Sequence, residues 1–258
     1  MCLATEKRDL EWCQNNYQKY ELKASKLYKK LGRKIEINSK SKILEIGSAQ
    51  GIFVLASQKL GFNCVGLEPC DDAFLISKNL EEIFNKKISI KKGFAENIPY
   101  SDNNFDIVIA LSVFEHVQDI EKVFHEISRI LKPKGALFFV STSAICPRQN
   151  EISSFPFFGW YPNFLKQQIF NWALKNKPEL IGYTKTPAIY WFTPWMVKKL
   201  ALNNKFNKIY DRWHLIIDDE GKSSYKKLML RIINKNQIVK FIANVLKPTS
   251  SYLIIKDA

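Results

Sequence analysis

The run ILEIGSAQG at positions 43–51 holds residue types that can meet a ligand. An apolar stretch stops at Gly47, a second glycine follows at Gly51, and Glu45 precedes the first by two residues. Small residues at such a turn let the backbone approach a bound molecule closely. A dinucleotide-binding turn reads G-x-G-x-x-G and seats a pyrophosphate on a helix N-terminus. Aligned on Gly47, this chain has Ala49 and Ile52 where that pattern has glycines, and it contains no G-x-x-x-x-G-K-[ST] phosphate loop. A carboxylate at Glu45 suits a ligand with a cationic end better than one built of phosphates. Glu68 closes the next apolar run, 21 residues after Gly47. An acid at that strand end can accept both hydroxyls of a ribose, which points to a nucleoside without saying which one. A solvent-facing glutamate before a turn is the bland alternative.

These residues need a frame. Apolar spacings of three and four from Leu10 to Leu31 predict a helix over 6–31, stopped by Gly32. Strand and helix patterns then alternate. Strands are expected at 42–46, 63–69, 87–93, 105–113 and 136–143, with helices at 51–60, 71–84 and 119–132 between them. That alternation predicts a Rossmann-like α/β fold, a doubly wound, mostly parallel sheet with helices on both faces. In such a sheet ligands lie beyond the carboxyl ends of the strands, where the 43–51 turn falls. Residues 155–195 carry 13 aromatics and five of the ten prolines. They are expected as an insertion of loops and short helices. A helix is expected at 193–203, strands at 207–217 and 250–257, and helix in the basic stretch 222–247. One domain results, with an N-terminal helical cap (1–41), a core (42–145), the aromatic-rich insertion (146–205) and C-terminal strands (206–258).

Composition narrows the setting. With 258 residues and 46% apolar content, a sizeable core is within reach. No apolar run reaches the roughly 18 residues that span a bilayer, and MCLATEKRDLEW lacks a signal peptide's apolar centre. A soluble, cytoplasmic protein is expected. Five scattered cysteines favour reduced thiols, and no ligand pair has metal-site spacing, so no metal is expected. Net charge is +14, unevenly spread. Residues 1–42 hold 11 basic against 5 acidic residues, 43–143 hold 10 against 13, and 144–258 hold 18 against 7. An anionic partner would meet the flanks, not the middle; a lysine-rich solvated surface is the plain alternative.

Further motifs follow in order: G-F-A-E-N-I-P at 93–99, F-D-I-V-I-A-L-S-V-F-E-H at 105–116 and L-K-P-K-G at 131–135. Together with ExGxxxG at 45–51 and Glu68, the chain resembles a class I S-adenosylmethionine-dependent methyltransferase, of the ubiquinone/menaquinone-biosynthesis (methyltransferase type 11) group. The resemblance covers residues 40–145 closely and the last two strands loosely. It implies a seven-stranded sheet and S-adenosyl-L-methionine as cofactor, released as S-adenosyl-L-homocysteine. By position, it implies that Glu45, Gly47, Ser48, Ala49 and Gly51 wrap the methionine part. It implies that Glu68 holds the ribose with Pro69 or Cys70 flanking the adenine, that Ala95 and Glu96 meet the adenine edge, and that Leu111 lies beside the methionyl group. Ala49 departs from the family's usual middle glycine, and adjusted geometry rather than lost binding is expected there.

Methyl transfer from a sulfonium needs positioning above all, and a base only where the acceptor arrives protonated. His116, after the fourth strand, is the candidate base, since an unperturbed imidazole titrates near neutrality. It can equally hold a loop. Trp160, Tyr161, Tyr190 and Trp191 in the insertion are candidates to wall an acceptor site; a satellite core under the insertion would use the same side chains. The leading expectation is methyl transfer to oxygen, carbon or nitrogen of a small acceptor that is anionic, aromatic or lipid-like. An RNA methyltransferase using the basic flanks and a non-catalytic scaffold stay open, as does contact of the insertion with a membrane surface.

Overall fold

The apolar runs after residue 41 form strands whose two faces are covered by helices. The computed structural model describes residues 9–149, 151–182, 187–216 and 223–258. Strands β1 (Lys42–Ile46), β2 (Asn63–Glu68), β3 (Ile90–Lys92), β4 (Phe105–Leu111) and β5 (Leu131–Thr142) pair in parallel. Strands β6 (Phe206–Asp211) and β7 (Thr249–Lys256) complete a seven-stranded sheet in the order β3-β2-β1-β4-β5-β7-β6. Strand β7 runs opposite to the other strands and pairs antiparallel with both β5 and β6.

Two apolar cores sandwich the sheet. On one face, α1 (Leu10–Leu31), α2 (Ile52–Lys59) and α3 (Asp71–Phe84) bury Leu27, Phe53 and Leu80 against Ile43, Ile107 and Phe138. On the other, α4 (Ile120–Ile130) and α6 (Pro194–Asn203) bury Phe124, Ile127 and Leu200 against Leu44, Val108 and Phe139. The helix starts are specified locally: Asp9, Asp119 and Thr193 accept the N–H of Trp12, Lys122 and Met196. Residues 6–8 of the expected first helix lie outside the described residues.

Between β5 and α6, the chain forms α5 (Asn163–Asn176) with two short 3-10 turns, Phe158–Trp160 and Pro178–Leu180. This segment has a small core of its own, in which Phe158, Phe170 and Trp191 pack with Ile152 and Ala173. After β6 come α7 (Arg212–Ile216), α8 (Ser224–Lys235) and α9 (Gln237–Val245).

The expected strand at 207–217 stops at Asp211. Its carboxylate accepts the N–H of Trp213 (3.0 Å) and His214 (3.1 Å), an N-cap that turns the chain into α7, so His214 is helical; residue 217 is outside the described residues. The strand expected at 87–93 pairs only over Ile90–Lys92, and β5 begins at Leu131, where it pairs with Phe105 across a bulge. The basic stretch divides at Asn236, whose side chain caps α9 by accepting from Ile238 and Val239. Cys13, Cys64 and Cys146 are buried, and Cys64 and Cys146 are free thiols. Cys70 is disulfide-bonded, which corrects the expectation of reduced thiols at that position; Cys2 lies outside the described residues.

Candidate functional site

At the carboxyl end of β1 the chain turns through Gly47 (φ +68°), Ala49 (φ +47°) and Gly51 (φ +78°), all left-handed. Glycine is required at 47, where a Cβ would stand 2.3 Å from Val113 Cγ2. The N–H groups of Gly47 and Ser48 donate to Leu67 O, which ties the turn to the end of β2. Ala49 takes the left-handed conformation in spite of its methyl group, and its N–H donates to Glu68 Oε2 at 2.8 Å. Cys70 N–H donates to Oε1 at 3.1 Å. Burial raises the Glu68 pKa and these two donors oppose the rise. Each carboxylate oxygen keeps a lone pair beyond its bond to the backbone, so Glu68 can still accept hydroxyl donors.

A cavity of about 330 Å³ opens at this edge of the sheet. One wall is Gly47, Leu67, Pro69 and the 93–96 segment; a second is Val113 with His116, Val117 and Gln118; Gln167, Pro187 and Ile189 of the insertion close it. Two contacts hold the walls in register. Glu96 Oε1 accepts the N–H of Gln118 at 2.8 Å. The Arg129 guanidinium donates to Ile98 O (2.9 Å) and Tyr100 O (2.8 Å) while pairing with Glu126 and Asp102.

Of the residues expected at a cofactor, Gly47, Pro69, Ala95 and Glu96 line the cavity, and so does His116. Ser48, Ala49, Gly51 and Glu68 build the turn without lining it. Glu45 and Leu111 belong to the sheet face of α1 and α2. Period-two alternation sets Glu45 beside Ile43, where burial raises its pKa to about 8 against the opposing pull of Lys23. Glu45 Oε2 is buried without a hydrogen-bond partner among the described residues. Leu111 packs with the same core.

None of the four expected acceptor-site aromatics lines the cavity. Trp191 is buried edge-on to Phe158, and Tyr161 also packs on Phe158. The Tyr190 hydroxyl donates to Gln118 O at 3.0 Å, and the exposed Trp160 indole N–H donates to Ala144 O. Trp191 and Tyr161 serve the insertion's own core, Tyr190 packs against the main core under α4 and α6, and Trp160 stays exposed.

The residue that sequence reasoning missed is Glu151. Its Oε1 lies 3.5 Å from His116 Nε2, with both side chains buried. Its Oε2 accepts Ala188 N–H at 2.8 Å. Burial drives the two groups apart: His116 falls to about 4 and Glu151 rises to about 8, the latter helped by the Glu115 charge. At neutral pH the pair is therefore an uncharged imidazole beside a carboxylic acid. His116 Nδ1 is buried and makes no hydrogen bond. One signal was available, since Glu151 is the only acidic residue between 127 and 178. Glu115, next to His116, is structural: its carboxylate accepts the Ser141 hydroxyl at 2.5 Å, and its backbone carbonyl accepts from Ile189 and Tyr190.

A family model described as a methyltransferase domain matches residues 16–177. Demethylmenaquinone methyltransferase of Lactobacillus johnsonii is 29% identical over 147 residues, 54% of this chain and 59% of that protein. The uncharacterized methyltransferase YcgJ of Bacillus subtilis is 26% identical over 106 residues, 41% of this chain and 42% of its own length. The chain spans less than two thirds of the curated relatives it matches. Among solved structures, YcgJ superposes with a TM-score of 0.53 at 14% identity, covering 90% of this chain and 99% of that one. Phosphoethanolamine N-methyltransferase 2 of Haemonchus contortus, solved with phosphomonomethylethanolamine and S-adenosylhomocysteine, superposes with a TM-score of 0.56 at 15% identity over 88% of this chain and 51% of that one. At these identities the structures share the fold.

Proposed function

We propose that this chain, which belongs to the methyltransferase-domain family, transfers a methyl group from S-adenosylmethionine to an uncharged, largely apolar small molecule. One observation carries the reading. A single cavity is lined together by the Gly47 turn, Glu96, His116 and the insertion's Gln167 and Ile189. The cofactor's sulfonium supplies an electrophilic methyl group and a neutral leaving group. The residues present fit it. Glu68 stands at the end of β2 with lone pairs for the ribose hydroxyls, and Gly47 leaves the backbone bare at the cavity wall. Ala95 and Glu96, which line the cavity, would meet the base. No lysine or arginine lines the cavity, which disfavours an anionic acceptor, while Pro187, Ile189 and two glutamine amides suit an apolar molecule with a polar edge.

The chain's own work is to position the acceptor, exclude water and take a proton where the acceptor carries one. His116 Nδ1 is the proton acceptor in this reading, and Glu151 is the group that decides which ring nitrogen holds the hydrogen.

Calorimetry with S-adenosylmethionine and S-adenosylhomocysteine tests the proposal. Micromolar binding is expected, weakened at least about a hundredfold by Glu68→Ala, since two hydrogen bonds to a charged group are worth roughly 1.5–3 kcal/mol each. Absence of binding by the folded wild-type chain would overturn it.

A further inference from the structure

Helices α8 and α9 turn their apolar faces outward. Leu230 is the only residue that α8 buries, and α9 buries none. On α8, Tyr225, Leu228, Met229 and Ile232 are exposed, at spacings of three and four that make one continuous stripe. On α9, Ile238, Phe241 and Ile242 repeat the pattern, and Leu246 follows, with Ile238 73% and Leu246 72% exposed. The exposed Trp195 of α6 extends the patch, its ring centroid 6.5 Å from that of Phe241. The hairpin is held in place from within. Trp213 Nε1 donates to Asn244 Oδ1 at 2.7 Å, and Asn234 donates to Trp213 O at 3.1 Å.

Charge identifies the occupant. Residues 223–247 contain six basic residues and no acidic one. Lys240 is turned inward to Asp211 at 2.9 Å; Lys226, Lys227, Arg231, Lys235 and Lys247 are exposed around the apolar stripe. A second copy of this chain would set one basic face against another. A nucleic acid would satisfy the cations and leave the leucines, isoleucines and methionine in water. A bilayer with anionic headgroups meets both needs, hydrocarbon for the stripe and phosphate for its rim.

We propose that the α8–α9 hairpin docks this protein on anionic membrane surfaces. The start of β7, which follows the hairpin, pairs with Thr142 at the carboxyl end of β5, and the end of β6, which precedes the hairpin, pairs with β7 at Tyr252. Docking therefore brings the sheet edge that carries the cavity toward the lipid. The inference stands on this face alone and does not depend on the methyl-transfer reading.

Co-sedimentation tests it, with vesicles of phosphatidylcholine alone and with about one third phosphatidylglycerol. The wild-type chain is expected to sediment with the anionic vesicles and not with the neutral ones. The variants Ile238→Ser/Ile242→Ser and Leu228→Ser/Ile232→Ser change only exposed side chains. Each is expected to weaken binding at least about tenfold with an unchanged melting temperature, since each removes two inserted aliphatic groups. Binding that persists in both folded variants, or no binding by the wild type, overturns the proposal. So does a dimer that Ile238→Ser/Ile242→Ser dissociates, or RNA binding that the same variant abolishes.

Discussion

The His116–Glu151 pair makes a sharp prediction because only one arrangement of its hydrogens satisfies the backbone. Ala188 N–H occupies Glu151 Oε2, so the proton of the neutral acid sits on Oε1 and faces His116 Nε2. An Nε2 that accepts must leave the ring hydrogen on Nδ1, and a protonated Nδ1 cannot act as a base. When Glu151 ionises, Nε2 becomes the donor and the Nδ1 lone pair is freed. With Glu151 titrating at about 8, the carboxylate fraction is roughly one in eleven at pH 7 and ten in eleven at pH 9, a tenfold gain in the competent tautomer. Glu151→Gln removes the switch. Its carbonyl must face Ala188 N–H, its amide N–H₂ then faces Nε2, and the hydrogen stays on Nδ1 at every pH. The assay is nitrogen-15 NMR of the imidazoles across about pH 6 to 10. The wild type is expected to pass from the Nδ1–H to the Nε2–H tautomer near pH 8, and Glu151→Gln to stay Nδ1–H. A wild-type tautomer that does not change, or a variant that titrates like the wild type, refutes the reasoning. Methyl transfer to a protonated acceptor should follow the same limb, and Glu151→Gln should lose the roughly 10²–10⁴ that a general base contributes. Stability follows in opposite senses. The raised Glu151 contributes fully below its ordinary value of 4.5 and loses that contribution as pH rises through about 8. The depressed His116 contributes above 6.5 and loses its share as pH falls through about 4.

Two further outcomes follow from the walls of the cavity. Gly47→Ala should lower stability by about 1–2 kcal/mol for the left-handed backbone alone, with a further loss from the 2.3 Å approach to Val113; in thermal melts, adding Val113→Ala should recover the packing share and leave the backbone share. Arg129→Lys cannot fork onto both Ile98 O and Tyr100 O, so denaturant unfolding should show a loss of about 1–3 kcal/mol, with weaker cofactor binding as the segment bearing Ala95 and Glu96 loosens.

Local chemistry made much of this protein readable from its sequence. Alternating strand and helix periods and the glycines around Ala49 act over a few residues, and the core strands and the 47–51 turn lie where those signals put them. Glu68 was marked by its place at the end of an apolar run, while its bond from Ala49 N–H came from the structure. Where a local signal competed with a pattern, the pattern lost: 207–217 alternates like a strand, yet the Asp211 carboxylate captures two N–H groups and starts a helix. What depended on long-range packing was not readable. His116 and Glu151 are 35 residues apart, and their contact exists only because the insertion folds back over the end of β4. The four aromatics chosen for an acceptor site show the converse, because composition marks an aromatic-rich segment without saying which rings turn inward; Trp191 and Tyr161 turned to Phe158. The outward face of α8 and α9 is of the same kind. Amphipathic spacing is written in the sequence, but which side meets the protein is decided by how Trp213 anchors the hairpin. Sequence settles what each segment can do alone, and tertiary structure settles which segments meet, because pairing across the chain depends on the packing of everything between.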